Sequence, residues 1–98
     1  MTITALLDLT LKPESIADAP AIIQETLAAT RAFDGCLGVE VLTDTADQTH
    51  VVIIERWDSV ESDAAYRSWR ATPEGASALR TILAGPPQLI KCNLKPDI

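Results

Sequence analysis

Three kinds of residue that often mark a chemical site are scarce in this 98-residue chain: cysteine, histidine and aromatic residues, the last making up only 4% of it. The two cysteines, Cys36 and Cys92, form no C-x-x-C pair, and the single histidine, His50, cannot complete a metal site with them at any usual spacing. We therefore expect no metal and no other cofactor, and we expect both cysteines to pack as small apolar side chains inside strands.

Basic residues and long apolar runs are also few. The chain has eight Lys and Arg against 14 Asp and Glu, which gives a net charge of -6. The basic residues form no cluster in the sequence. This balance argues against nucleic acid and anionic membranes as partners. No apolar run approaches the roughly 20 residues that span a bilayer. The N-terminus also lacks the basic region and apolar core of a signal peptide. We expect a cytoplasmic protein.

The pattern of apolar residues predicts six elements in one domain, residues 1–98. Four strands are expected over residues 2–11, 36–43, 50–57 and 88–94. One helix starts near Asp18 and ends before Asp34-Gly35, and a second runs from a capping box at Asp58 and Glu61 to about residue 71. A restart of this second helix is expected from Thr72 to residue 84, before Gly85-Pro86-Pro87.

The order of strands and helices favours an α+β fold of the ferredoxin-like βαββαβ type, a four-stranded antiparallel sheet with both helices on one face. Residues 51–54 (V-V-I-I) are apolar toward both faces of the sheet, although two helices can cover only one. The uncovered face is too apolar to meet water, so we expect it to pack against a second copy around a two-fold axis, as a homodimer.

Three of the four aromatic residues lie at the end of the third predicted strand or on the helix after it. Trp57 ends that strand and would either line a pocket or cap the core. Tyr66 and Trp69 lie three apart on the next helix and would line either a cavity or a dimer seam. A buried Tyr hydroxyl needs a hydrogen-bond partner, and a substrate oxygen would be one.

Three ionisable residues deserve separate interpretation. Arg80 has an apolar flank, so its guanidinium either reaches into a cavity or extends to solvent. Glu55 lies within a strand and has either a pocket role or a cross-strand partner. His50 begins a strand beside a polar loop and is expected to be exposed.

With these residues in place, the chain resembles the antibiotic-biosynthesis-monooxygenase-like group of dimeric α/β-barrel proteins over nearly its full length. The segments that carry the resemblance are F-D-G-C-L-G-V-E-V at 33–41, V-V-I-I-E-R-W-D-S at 51–59 and the helix–G-P-P–strand pattern from Leu79 onwards. The branch with the most similar pattern is the cofactor-independent anthrone and quinol monooxygenases. They have a strand Trp, a helix Tyr in an A-Y-R context and an Arg further along, which Trp57, Tyr66 and Arg80 match in order.

The resemblance implies a monooxygenase that oxidises a phenolic, quinol or anthrone-type aromatic with O2. In that reading Trp57, Tyr66 and Arg80 are catalytic, and Ile53, Glu55 and Trp69 contact substrate. The branch has Asn at the position of Ile53. A small-molecule isomerase and a non-catalytic dimeric binding module on the same fold are the alternatives.

Overall fold

The computed structural model describes residues 2–98, which form four strands, two α-helices and two short 3-10 turns. In chain order they are β1 (Ile3–Thr10), a 3-10 turn (Pro13–Ser15), α1 (Ala19–Ala32), β2 (Cys36–Asp44), β3 (Asp47–Trp57), α2 (Val60–Arg70), a 3-10 turn (Ala78–Ile82) and β4 (Gln88–Cys92). All strand pairs are antiparallel, and the sheet order is β2-β3-β1-β4. The predicted α+β, ferredoxin-like fold is confirmed.

The two faces of the sheet differ because side chains alternate along each strand. Odd-numbered residues of β1 and of the second half of β3 face the helices, and most are buried, as Leu9, Val51 and Ile53 are. Even-numbered residues such as Val52 and Ile54 lie on the other face, which no helix covers, and are only partly buried. We call this second surface the open face.

The core has two parts. A mainly aliphatic cluster joins α1 to β1 and β3 through residues such as Leu9, Leu27 and Ile53. A smaller aromatic cluster centres on Trp57 and Tyr66 at the other end of β3. No helix among residues 2–98 is long and apolar enough to cross a membrane.

The segment after α2 differs from the expected helical restart. Residues 71–77 form turns, and only Ala78–Ile82 coils, as a 3-10 turn that Ser77 begins by accepting a hydrogen bond from the Leu79 N–H (3.3 Å). A side chain at Gly75 would clash with the backbone carbonyl of Trp69, so the chain doubles back closely onto the end of α2 there. A continuous helix is incompatible with that close approach.

Two other boundaries were predicted wrongly. The β2–β3 hairpin turns at residues 45 and 46 instead of over 44–49, because the carboxylates of Asp44 and Asp47 accept hydrogen bonds from backbone N–H groups two residues further on. Helix α2 is capped by Ser59, whose hydroxyl accepts from the Ser62 N–H (3.1 Å), and not by the predicted Asp58–Glu61 capping box.

Gly35 connects α1 to β2 in a conformation that side chains disfavour, with φ at 91°. A Cβ atom there would clash with the side chains of Ser62 and Asp58. We predict that Gly35→Ala lowers the free energy of unfolding by at least about 1–2 kcal/mol, because it combines a left-handed backbone with this clash. Urea titration followed by circular dichroism measures the effect.

Gly85→Ala is the matched control, since Gly85 has a negative φ and open space at its Cβ position. Equal stability of both variants would contradict the assignment of strain to Gly35.

Candidate functional site

A cavity of about 260 Å³ lies on the helix side of the sheet, between β3, α1, α2 and the Ala78–Ile82 turn. One wall is apolar and is built from Leu7, Leu27, Ile53, Leu79, Leu83 and Pro87. The other lining residues, which we call the polar wall, are Glu55, Tyr66, Arg67, Arg70 and Arg80, and Glu55 lies beside Ile53 on the same face of β3. The cavity therefore offers an apolar surface for a flat ring and several charged groups for its polar edge.

The structure brings together four of the six residues that the sequence predicted for the site: Ile53, Glu55, Tyr66 and Arg80. Trp57 and Trp69 do not line the cavity. Trp57 is fully buried behind Glu55, and Trp69 lies partly exposed at the end of α2. Both belong to an aromatic group with Phe33 and Tyr66, in which the Trp57 and Tyr66 ring centroids are 4.9 Å apart.

The hydroxyl of Tyr66 is held by protein groups. It lies 2.7 Å from the Thr30 hydroxyl and accepts a hydrogen bond from Arg70 Nε (2.8 Å). Either hydroxyl can be the donor in the contact with Thr30, whose hydroxyl also lies 3.4 Å from the Thr26 carbonyl. Tyr66 is 3% exposed, so its ring shapes the cavity while its hydroxyl already has two protein partners.

Arg70 was not predicted, and it organises the part of the wall around Tyr66. Besides Tyr66, its guanidinium donates to the carbonyl oxygens of Thr26 (2.7 Å) and Gly75 (3.2 Å) and to the Thr30 hydroxyl (3.0 Å). These bonds connect α1, α2 and the turns after α2. The four-residue spacing from Tyr66 to Arg70 on one helix is the sequence signal that could have identified it.

Glu55 is the carboxylate of the cavity, and it is 1% exposed. Its Oε1 accepts hydrogen bonds from the Trp57 indole N–H (3.2 Å) and from Arg67 Nη2. Arg67, also missed from sequence, links Glu55 to a second buried acid. These contacts fix the Glu55 side chain against the wall of the cavity.

Asp63, at 0% exposure, is that second acid. Its carboxylate forms ion pairs with Arg67 (3.1 Å) and Lys91 (2.7 Å), although neither contact has hydrogen-bond geometry. Lys91 lies on β4, so the pairs join α2 to the edge of the sheet. Each of the two buried acids thus has a cation beside it, which offsets the cost of burying charge.

Arg80 differs from the other two arginines of the cavity because it is exposed and forms no hydrogen bond or ion pair within residues 2–98. It lies on the 3-10 turn, not on a helix as predicted. Its guanidinium is therefore available to an anion at the mouth of the cavity.

His50 lies away from the cavity, on the open face, between the carboxylates of Asp44 (2.8 Å) and Asp8 (3.0 Å). These hydrogen bonds, that of Asp44 first, raise the pKa of His50 above its ordinary value of 6.5. Within residues 2–98 no group of three or more His, Cys, Asp or Glu is placed to hold a metal ion. Cys36 packs between the two core clusters, and burial raises the pKa of its thiol.

A second cavity, of about 560 Å³, lies between α1 and the β2–β3 hairpin. Its wall is mostly aliphatic, with Leu11, Ile23 and Val51 among the lining residues. Its one arginine, Arg31, donates to the Val39 carbonyl (3.2 Å). The smaller cavity is the better candidate for chemistry, because only there do a buried acid, a free cation and an aromatic ring converge.

Comparison with known proteins identifies the family. The profile of the family described as antibiotic biosynthesis monooxygenase matches residues 2–80. The chain belongs to this family. The matched region contains β1 to β3, both helices and every residue of the polar wall of the candidate site.

Solved structures of this fold are similar over nearly their whole length. An antibiotic biosynthesis monooxygenase aligns with a TM-score of 0.80 and 20% identity, covering 96% of this chain and 99% of that one. A conserved protein from Methanosarcina mazei Go1 aligns with a TM-score of 0.80 and 16% identity, covering 97% and 94%.

A protein from Mycobacterium tuberculosis aligns with a TM-score of 0.77 and 17% identity, covering 97% of this chain and 96% of that one. At these identities the likeness is one of fold. A comparison with curated proteins gives no significant match.

We predict that Tyr66→Phe lowers the free energy of unfolding by about 1–3 kcal/mol, because Thr30 and Arg70 lose a buried partner. Ser68→Ala, an exposed change on the same helix, should alter it by no more than about 0.5 kcal/mol. Chemical denaturation of both variants provides the measurement. An unchanged stability in Tyr66→Phe would mean that the hydroxyl is not held as described.

Proposed function

We propose that this chain is a cofactor-independent monooxygenase that oxidises a small phenolic or quinol ring with molecular oxygen. The observation that carries the proposal is the cavity itself, in which apolar residues, Glu55 and the free guanidinium of Arg80 line one space. The ring would lie against Ile53 and Leu27, and its ionised oxygen would contact Arg80. Membership of the monooxygenase family supports the same reaction class.

The electron balance needs no external reductant. When a ring C–H is converted to a quinone carbonyl, the substrate gives up four electrons. One atom of O2 enters the product, and the other leaves as water with two hydrogens from the substrate. Ionisation of the ring hydroxyl makes the ring electron-rich, and a cation beside the phenolate favours that form.

The size of the cavity favours a substrate of one or two rings. Its volume of about 260 Å³ lies below the roughly 300–1,000 Å³ typical of sites for drug-sized ligands. Among the substrate classes that the family resemblance implies, a simple quinol therefore fits better than a tricyclic anthrone.

Isomerisation of a small molecule is the second candidate. It is favoured by Ile53, which is fully buried on the apolar wall and has no polar atom to offer substrate or O2. A buried carboxylate can move a proton between two substrate atoms without O2. Consumption of O2 distinguishes the two reactions.

We further propose that two copies of the chain pack together through the open face. Leu42 and Ile90 there are 49% and 45% exposed, next to Leu6, Val52 and Ile54 in the neighbouring strands. An aliphatic patch in the middle of a sheet is unfavourable in water, and the same patch on a second copy is a self-complementary partner.

For catalysis we predict that metal-free protein consumes O2 with hydroquinone, and that Arg80→Ala lowers kcat/KM by about 10- to 150-fold. The loss of a hydrogen bond to a charged group costs about 1.5–3 kcal/mol, which corresponds to that range. Lys95→Ala, an exposed change of the same charge, should have no effect.

The assay uses an oxygen electrode, 18O2 and EDTA-treated protein, with hydroquinone and the anthrone dithranol in parallel. One labelled atom in the product identifies a monooxygenase, whereas an oxidase gives hydrogen peroxide and unlabelled product. O2 consumption no faster than in the absence of protein for both compounds would contradict the proposed function.

For assembly we predict that Val52→Asp is monomeric in light scattering after gel filtration, while the unaltered chain is a dimer. An aspartate in the centre of the open face would bring two like charges together across the interface. Ala28→Asp, on the exposed side of α1, is the control and should remain a dimer. A dimeric Val52→Asp would place the interface elsewhere.

A further inference from the structure

The two oxygens of Glu55 have different surroundings. Both hydrogen bonds to this carboxylate, from the Trp57 indole and from Arg67, go to Oε1. Within residues 2–98, Oε2 has no hydrogen-bond partner, although the residue is 1% exposed and lines the cavity. A carboxylate oxygen has room for further hydrogen bonds, so Oε2 is a free acceptor beside the space that a ligand would fill.

A purely structural ion pair would not need this arrangement. Arg67 already lies between Glu55 and Asp63, and Asp63 has a second cation in Lys91. An acid between the fully buried Ile53 and Trp57 is costly to bury, and Arg67 offsets that cost through Oε1. Glu55 lies beside Ile53 on the same face of β3, so it would meet the polar edge of a ring that lies against Ile53.

We propose that Glu55 Oε2 accepts the proton of the substrate's ring hydroxyl, which makes Glu55 the general base of the site. This role rests on the proposed function and narrows its substrates to rings with an ionisable hydroxyl. The hydroxyl O–H bond breaks, its electron pair stays on the ring oxygen beside Arg80, and a new O–H bond forms at Oε2. The proton later leaves with the oxygen atom that is released as water.

Trp57 and Arg67 are positioning residues in this scheme. Their hydrogen bonds to Oε1 hold the carboxylate in one orientation and leave Oε2 toward the ring. Trp57 would thus act on catalysis through Glu55, without contacting the substrate. This accounts for a tryptophan that matches the family pattern and yet is fully buried outside the cavity wall.

The first test measures proton uptake on binding and needs no turnover. The probe is 4-nitrophenol at about pH 8, where it is ionised in water. If its oxygen contacts Glu55 Oε2, the two anions must share a proton, so binding takes up one proton. Isothermal titration calorimetry in two buffers with different ionisation enthalpies gives that number.

The unaltered chain, Glu55→Asp and the exposed control Glu25→Gln should each take up one proton, and Glu55→Gln should take up none. Uptake of a proton by Glu55→Gln, no uptake by the unaltered chain, or no saturable binding of the probe would overturn the proposal. Glu55→Asp keeps the acid, so it remains informative if Glu55→Gln does not fold.

The second test is kinetic. General base catalysis typically contributes about 10²- to 10⁴-fold, so Glu55→Gln should lose at least about 10²-fold in kcat/KM with hydroquinone. With 2,6-dichlorohydroquinone, which keeps two ring C–H bonds, assayed at a pH above the pKa of its hydroxyl, the loss should fall below about tenfold. A merely structural role would slow both substrates equally, and that result would overturn the proposal.

Together the two tests distinguish a failure of the general-base role of Glu55 from a failure of the proposed oxidation reaction. If the unaltered chain oxidises neither quinol, the proposed function fails, while the proton-uptake result still decides whether Glu55 accepts a proton from a bound phenol. If the chain oxidises both but Glu55→Gln is as active as the unaltered chain, the reaction stands and Glu55 is not its base.

Discussion

The candidate site depends on two carboxylates buried between α2 and the sheet. Glu55 and Asp63 are almost inaccessible to water, and each is beside Arg67. A buried charge without a partner would cost several kcal/mol, so the positions of α2 and of Lys91 on β4 are constrained by the need to balance these acids. Two members of this ion-pair group, Glu55 and Arg67, also belong to the polar wall of the cavity. The charge balance that holds α2 against the sheet therefore also sets the electrostatics seen by a ligand.

The fold could be predicted from sequence because its signals are local and repeated. The alternation of apolar residues and the turn residues define the strands, and the apolar stripe of α1 defines a helix with one buried face. The segment after α2 could not be predicted in this way. Thr72 and Pro73 are typical of a helix start, but the close approach of Gly75 to Trp69 is a contact between segments, which no local pattern reports.

The candidate site was predictable in its location more than in its detail. Ile53, Glu55, Tyr66 and Arg80 meet in one cavity because β3, α2 and the following turn converge there. Sequence could not show that the Tyr66 hydroxyl is bound by Thr30 and Arg70, since Thr30 lies 36 residues away. Nor could it show that Trp57 faces Glu55 instead of the cavity. Residue type indicated where the site lies. Which donors and acceptors remain available to a ligand depends on hydrogen bonds that only the three-dimensional structure shows.

The four hydrogen bonds donated by Arg70 also have a consequence for how a ligand would reach the cavity. They attach the turn at Gly75 to α1, so movement of that side of the wall would require several part-buried bonds to break together. The side formed by the Arg80 and Pro87 side chains is exposed, and it is held through backbone: the Lys12 N–H donates to the Ile82 carbonyl and the Ala84 N–H to the Thr10 carbonyl (2.8 Å each). A ligand would therefore approach past Arg80, whose free cation gives the entrance of the cavity a local positive charge in a chain with a net charge of -6.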